Sequence, residues 1–256
     1  TGDPGYRSAG VLTLRTSLPM PKYEETPPRE RLYGEVLSGV RRLPGVESAA
    51  YISFIPIAMG GGVWPIAMEG VPLERADNRL ASLRLVTPGF FATLGIPLRL
   101  GRDVRDSDRP DALRVAVVSE SFSRRYWPGE NPLGKRMKVG RNMSRPWVTV
   151  VGIVADERHN GITVRVKEKF YIPHAQWNVA AQSSARSMVI VARTSGDPRA
   201  LIDPIRRTLS TLDPDVPLSD VRTMADVVGA TTATPRFAGG VLGVFALLAL
   251  VLAAVG

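Results

Sequence analysis

The pattern of apolar and polar positions divides the chain into two similar outer parts and a different middle. Val11 to Ser17 alternates, with Leu12 and Leu14 on one face and Thr13 and Arg15 on the other, which predicts a strand. After the Pro-rich stretch Pro19 to Pro28, Thr26 followed by Pro27 reads as a helix cap and first position. Tyr33, Val36, Leu37 and Val40 share one helical face, and Pro44-Gly45 stops the helix. Val46 to Phe54 is the returning strand, so the segment forms a βαβ unit.

The same order recurs near the other end. Ser187 to Thr194 is almost continuously apolar, as in a sheet interior. Asp197-Pro198 repeats the cap-then-proline start, and Leu201, Ile202, Ile205, Leu209 and Leu212 supply the apolar face. Pro204 either kinks this helix or moves its start to Asp203 as cap. Pro214 ends it, and Val216 to Arg222 returns as a strand. Two such halves pairing in one sheet predict an α+β fold with a ferredoxin-like layer of strands under helices.

The middle, Leu80 to Arg186, reads as an inserted β-rich subdomain. It has short strands at Ala81–Val86, Val115–Ser119, Arg136–Val139 and Trp147–Asp156, with helices at Pro88–Leu94 and Glu120–Tyr126. Ala180 to Ser187 reads as a low-complexity, mobile connector. The boundaries are then 1–79 and 187–235 for the two halves, 80–186 for the insertion, and 236–256 for a final apolar segment.

That last segment changes the picture most. Phe237 to Val255 carries no charged or strongly polar side chain, and a spanning helix needs about 20 apolar residues. It is apolar on every face, where a core helix keeps a polar stripe. We read Phe237 to Gly256 as the start of a transmembrane helix, with Arg236 placed to snorkel. Thr1 to Tyr6 is polar and Gly/Pro-rich, unlike a signal peptide.

The formal charge of +9 favours an anionic partner, lipid headgroups or nucleic acid. Lys and Arg are scattered and no nucleic-acid motif appears, so nucleic acid is set aside. The absence of cysteine removes disulfides, thiolate metal sites and cysteine nucleophiles together.

Candidate chemistry is sparse. Gly129 to Lys135 matches G-x-x-x-x-G-K, but Arg136 stands where a Mg²⁺-binding hydroxyl belongs, and a helix-like stretch precedes a strand-like one. Asp103, Asp106, Asp108 and Asp111 lack calcium-loop spacing and alternate with arginines. His159 and His174 stand apart from any partner and read as surface or packing residues. Ser119 and Ser121, on either side of Glu120, match no nucleophile elbow. No catalytic, cofactor-binding or metal-ligating residue is assigned, and no cofactor is expected.

Several of these stretches together resemble the MacB/FtsX-like ABC transporter permeases. The carriers are Val86 to Arg102 (VTPGFFATLGIPLRLGR), Val115 to Glu120, Arg125 to Lys135, Val148 to Asp156 and Tyr171-Ile172-Pro173. Asp3-Pro4-Gly5-Tyr6 and Val11 to Leu14 resemble the exit from a first membrane helix. The nearest likeness is to large permeases that carry the module twice and lack a fused ATPase.

The resemblance implies a periplasmic domain with a porter-like subdomain and an inserted β-rich one. It also implies a non-catalytic role in export, transmitting ATP-driven motion from the membrane helices to a substrate or partner outside. A separate cytoplasmic ATPase subunit is the implied partner. A periplasmic adaptor or envelope protein, and a homodimer, stay open. The implied place is the bacterial inner membrane, with residues 1–235 extracytoplasmic. The alternative is a membrane-tethered envelope binding module without a transport cycle.

Overall fold

The computed structural model describes residues 6–55, 62–72, 79–140, 142–157 and 168–230. Strand β1 (Val11–Ser17) leads to helix α1 (Thr26–Arg41) and strand β2 (Val46–Ile52). Late in the chain, β10 (Ser187–Thr194), α5 (Ile202–Leu212) and β11 (Leu218–Thr223) repeat the order. The four strands interleave as β11-β1-β10-β2, every neighbour antiparallel. β1 and β10 pair without a break from Val11↔Arg193 to Ser17↔Ser187. β10 is buried on both faces, which accounts for its near-continuous apolar run. Met188, Ile190 and Ala192 join the core beneath α1 and α5, and Val189 and Val191 join a second core on the opposite face.

The middle of the chain is a closed barrel. Strands β3 (Val63–Met68), β4 (Leu80–Val86), β6 (Val115–Ser119), β7 (Arg136–Val139), β8 (Val148–Val154) and β9 (Lys169–Pro173) run in the order β4-β3-β7-β8-β6-β9. A parallel pairing of β4 with β9, Ser82↔Lys169 through Val86↔Pro173, brings the last strand back to the first. Alternation fills the two sides: in β6, Ala116 and Val118 belong to one core and Val117 to the other. Sheet and barrel are joined along the strands by one residue pair, Ile52↔Val86.

Helix α2 (Phe90–Leu94) is wedged behind that joint. Phe90, Phe91 and Leu94 are fully buried and pack with Ile52 and Val189 of the sheet and Val117 and Tyr171 of the barrel. Burial of three such side chains is worth about 2 kcal/mol each. Next, β5 (Leu98–Gly101) pairs with β8. A Cβ on Gly101 would lie 2.2 Å from the carbonyl oxygen of Val151, and one on Gly152 would lie 2.1 Å from that of Arg102. Both glycines are therefore required where these two backbones cross. The family-like stretch Val86 to Arg102 encodes this wedge and its crossing.

Several sequence expectations are corrected. Glu25, not Thr26, is the cap position of α1, and Thr26 instead accepts from Arg29. Asp203 does not cap α5. Asp197 caps a 3-10 turn, Pro198–Leu201, that runs into α5 at Ile202. Pro204 falls in the first turn of α5, where no intrahelical partner exists for an N–H, so it costs no hydrogen bond. Strand β11 starts two residues after Val216.

Ala180 and Ala181, expected in a connector, are the buried end of helix α4 (Trp177–Ala181). Strands β3, β5 and β9 were not foreseen. β3 lies within the stretch 1–79 expected to be the porter-like first half, yet its partners are β4 and β7. Among the described residues no helix is long and apolar enough to cross a membrane. The apolar run Phe237 to Gly256 lies outside the described residues.

Candidate functional site

One face of α1 and the neighbouring end of the barrel enclose a cleft of about 450 Å³. Glu30, Gly34, Leu37 and Arg41 follow one another along the helix wall at helical spacing. Val86 to Pro88, Val104 to Asp106, and Pro173 to Ala175 form the opposite wall. The cleft lies beside the Ile52↔Val86 joint, between the two strand assemblies.

A 3-10 turn, His174–Gln176, ties these walls together. The His174 ring is buried, with Nδ1 2.6 Å from Glu30 Oε1 on α1 but out of hydrogen-bond alignment. Its edge meets Tyr33, 4.9 Å between centroids, and Tyr33 in turn packs on Tyr51 of β2. Two positions on, the fully buried Gln176 holds the barrel side. Its Oε1 accepts from Val115 N–H at 2.9 Å, and its Nε2 donates to the Arg109 and Leu113 carbonyls. His174 is thus a packing residue, one of the two expectations for it, with the Glu30 carboxylate beside its ring. His159 lies outside the described residues.

Two glycines inside α1 differ in a telling way. A Cβ on Gly39 would lie 2.5 Å from Thr208 Cγ2 on α5, so close helix packing demands glycine there. A Cβ on Gly34 would meet nothing within 4 Å. Gly34 faces the cleft, and glycine there costs about 1 kcal/mol of helix stability relative to alanine.

A second cluster is buried where the barrel faces Tyr6. Glu157 Oε2 lies 3.3 Å from Lys169 Nζ, both side chains almost wholly inaccessible, and Glu157 Oε1 accepts from the Tyr171 hydroxyl at 2.8 Å. Arg84, one strand over, donates to Ser82 Oγ and the Leu83 carbonyl. Burial first, and then the Glu157 charge, push the Tyr171 hydroxyl well above its ordinary range. Burial alone draws the Arg84 guanidinium down, against the pull of Glu157. Buried charges of this kind persist only when paired.

The acidic run is held by its own arginines. Asp108 takes a bidentate pair from Arg102 at 2.8 Å and the Arg105 N–H. Asp103 accepts from Val104 N–H, and burial is the main reason its carboxyl is raised. Among the described residues no three His, Cys, Asp or Glu side chains gather as a metal site would require. Gly129 to Lys135 links α3 (Glu120–Tyr126) to β7, the reverse of a phosphate loop's strand-to-helix order, and Lys135 pairs with Glu130. Ser119 caps α3 and accepts from Phe122 and Lys169 N–H groups.

Comparison with known proteins bears on the whole arrangement. A family model described as the MacB-like periplasmic core domain matches residues 7–208. The periplasmic region of MacB from Actinobacillus actinomycetemcomitans is similar in structure, with TM-score 0.58 and 15% identity, covering 88% of this chain and 94% of that one. The extracellular domain of the noncanonic ABC-type transporter YknZ from Gram-positive bacteria aligns with TM-score 0.53 and 12% identity, over 82% of this chain and 100% of that one. No curated protein matches the sequence.

Proposed function

Because the chain belongs to the family of MacB-like periplasmic core domains, we propose that it is the outer, non-catalytic part of an export permease and that its work is to carry motion. An ABC permease domain of this family acts outside the cytoplasm. The ATP would be hydrolysed by a separate cytoplasmic subunit, and the displacement would enter through membrane segments, one of them starting at Phe237.

The observation that carries this reading is the junction between sheet and barrel, narrow along the strands and packed on either side. Sheet and barrel meet along their strands at one pair, Ile52↔Val86, with a cleft on one side and the α2 wedge on the other. Both hydrophobic cores run from the sheet into the barrel, so a displacement of one is passed to the other through packed side chains. The order β11-β1-β10-β2 under α1 and α5 supports reading the sheet as a porter-like, ferredoxin-like subdomain of two βαβ halves. The pairing of β3 with β4 and β7 favours starting the inserted subdomain before Val63 rather than at Leu80.

Cysteine labelling in cells tests placement and topology together, because the chain has no native cysteine. Ser107→Cys, at an exposed position, should react with a membrane-impermeant maleimide once the outer membrane is permeabilised. Reaction only after the inner membrane is broken would sink the proposal. Co-purification of the full-length protein with an ATPase subunit tests the implied partner.

A further inference from the structure

We propose that Tyr6 is a releasable latch: the chain entering β1 plugs this ring into the joint between sheet and barrel, and withdrawal of the ring loosens α2 and the barrel wall behind it. The latch rests on the transport reading only for the source of a pull, and its presence can be read without ATPase or cargo.

Tyr6 precedes the first strand, yet it is only 4% exposed and belongs to the core on the wedge side of the joint. Its companions there include Phe90, Phe91 and Leu94 of α2 and Val117 and Tyr171 of the barrel. Backbone bonds tie the next residues to the same helix. Arg7 N–H donates to the Leu94 carbonyl at 2.7 Å, and the Arg193 guanidinium donates to the carbonyls of Thr93, Ala9 and Arg7 together. The entering chain therefore grips α2 before it reaches the sheet. Met224 and Val227, just after β11, enter the same core, so the segments on either side of the sheet meet at the joint.

The hydroxyl is what makes this plug releasable. It is buried and has no hydrogen-bond partner. Burial first, and then the charge of Glu157, raise it above its ordinary range. Tyr171 in the same core differs, since its hydroxyl donates to Glu157 Oε1 at 2.8 Å. A phenol with its hydrogen bond unmade is worse placed than a phenylalanine of the same shape, and it recovers that bond from water on swinging out. The ring favours the joint while the hydroxyl favours solvent, as a device with two positions requires. Static packing would be served better by phenylalanine.

Amide hydrogen exchange on the full 256-residue chain in mild detergent tests the latch. Thr93, Gly95 and Ile96 N–H groups report on α2, and Lys169–Pro173 reports on the barrel wall. Helices α1 and α5, whose buried residues lie in the other core, are the reference. Tyr6→Phe removes the unbonded hydroxyl and should slow exchange in α2 and β9 about tenfold, leaving α1 and α5 within about twofold. Tyr6→Ala should speed the same amides by a similar factor. A covalent lock supplies a variant that keeps Tyr6. Arg7 Cβ lies 3.5 Å from where a Cβ on Gly95 would stand, within disulfide reach, and the chain has no cysteine to interfere. Oxidising Arg7→Cys with Gly95→Cys should slow α2 and β9 exchange, and reduction should restore it. Faster exchange in Tyr6→Phe, changes spread equally over α1 and α5, or an oxidised lock without effect on α2 and β9 would each overturn the proposal.

Discussion

Replacing Gln176 with leucine removes a side chain of similar size together with three hydrogen bonds. Gln176 is fully buried, and its Oε1 is the acceptor for Val115 N–H at the start of β6. Val115 is itself inaccessible, so in Gln176→Leu its N–H has neither protein nor water to bond. An unsatisfied buried group costs about 1–3 kcal/mol. The Arg109 and Leu113 carbonyls belong to exposed residues and turn to solvent, adding only about 0.5 kcal/mol each. The expected loss is therefore about 3 kcal/mol, or a fall in Tm of roughly 6–12 °C for a chain of this size. Urea unfolding followed by tryptophan fluorescence reads the change, because the neighbouring Trp177 is buried and meets Trp64 edge-on at 5.3 Å. The midpoint should drop with an unchanged slope. A loss below about 0.5 kcal/mol would show that Gln176 fills space and does not hold the Arg109–Val115 loop.

Three further outcomes are expected. Lys169→Met leaves Glu157 buried without its cation and should destabilise by about 3–5 kcal/mol, while adding Glu157→Gln should recover part of that loss; denaturant melts of both variants decide it. For Asp213, burial works to raise the carboxyl, but hydrogen bonds from Lys22 and Tyr23 outweigh it and hold the group below the ordinary range. A depressed carboxyl contributes stability above its unfolded value, near pH 4, and loses it as pH falls through the folded value. Asp213→Asn should therefore lower Tm at pH 7 and flatten the acid limb of a melting series between pH 7 and 3. Gly39→Leu should cost about 1–3 kcal/mol by driving into Thr208, whereas Gly34→Ala should gain about 1 kcal/mol in the same melts.

The outer elements were legible because their signals are local. β10 is buried on both faces and says so in its composition, and α1 and α5 carry their apolar stripes between proline signals. Barrel closure was not legible. It depends on β9, five residues beginning with a buried lysine, finding β4 across more than eighty positions. Nothing in Lys169-Phe170-Tyr171-Ile172-Pro173 announces that Lys169 meets a buried glutamate. The cleft escaped for a related reason. His174 follows a proline and reads as a surface or packing residue until the fold sets it beside Glu30 and Tyr33.

The strand order also sets a timetable. β1 is synthesised before β2 to β11, yet its partners are β10 and β11, so its ladder cannot form until nearly the whole domain has been made. The barrel strands, from Val63 to Pro173, all lie between those partners in the chain and can close without either. Loop closure over so long an interval is slow and leaves strand edges exposed meanwhile. β1, with Leu12 and Leu14 uncovered, is thus the natural segment for a folding helper to shield during export.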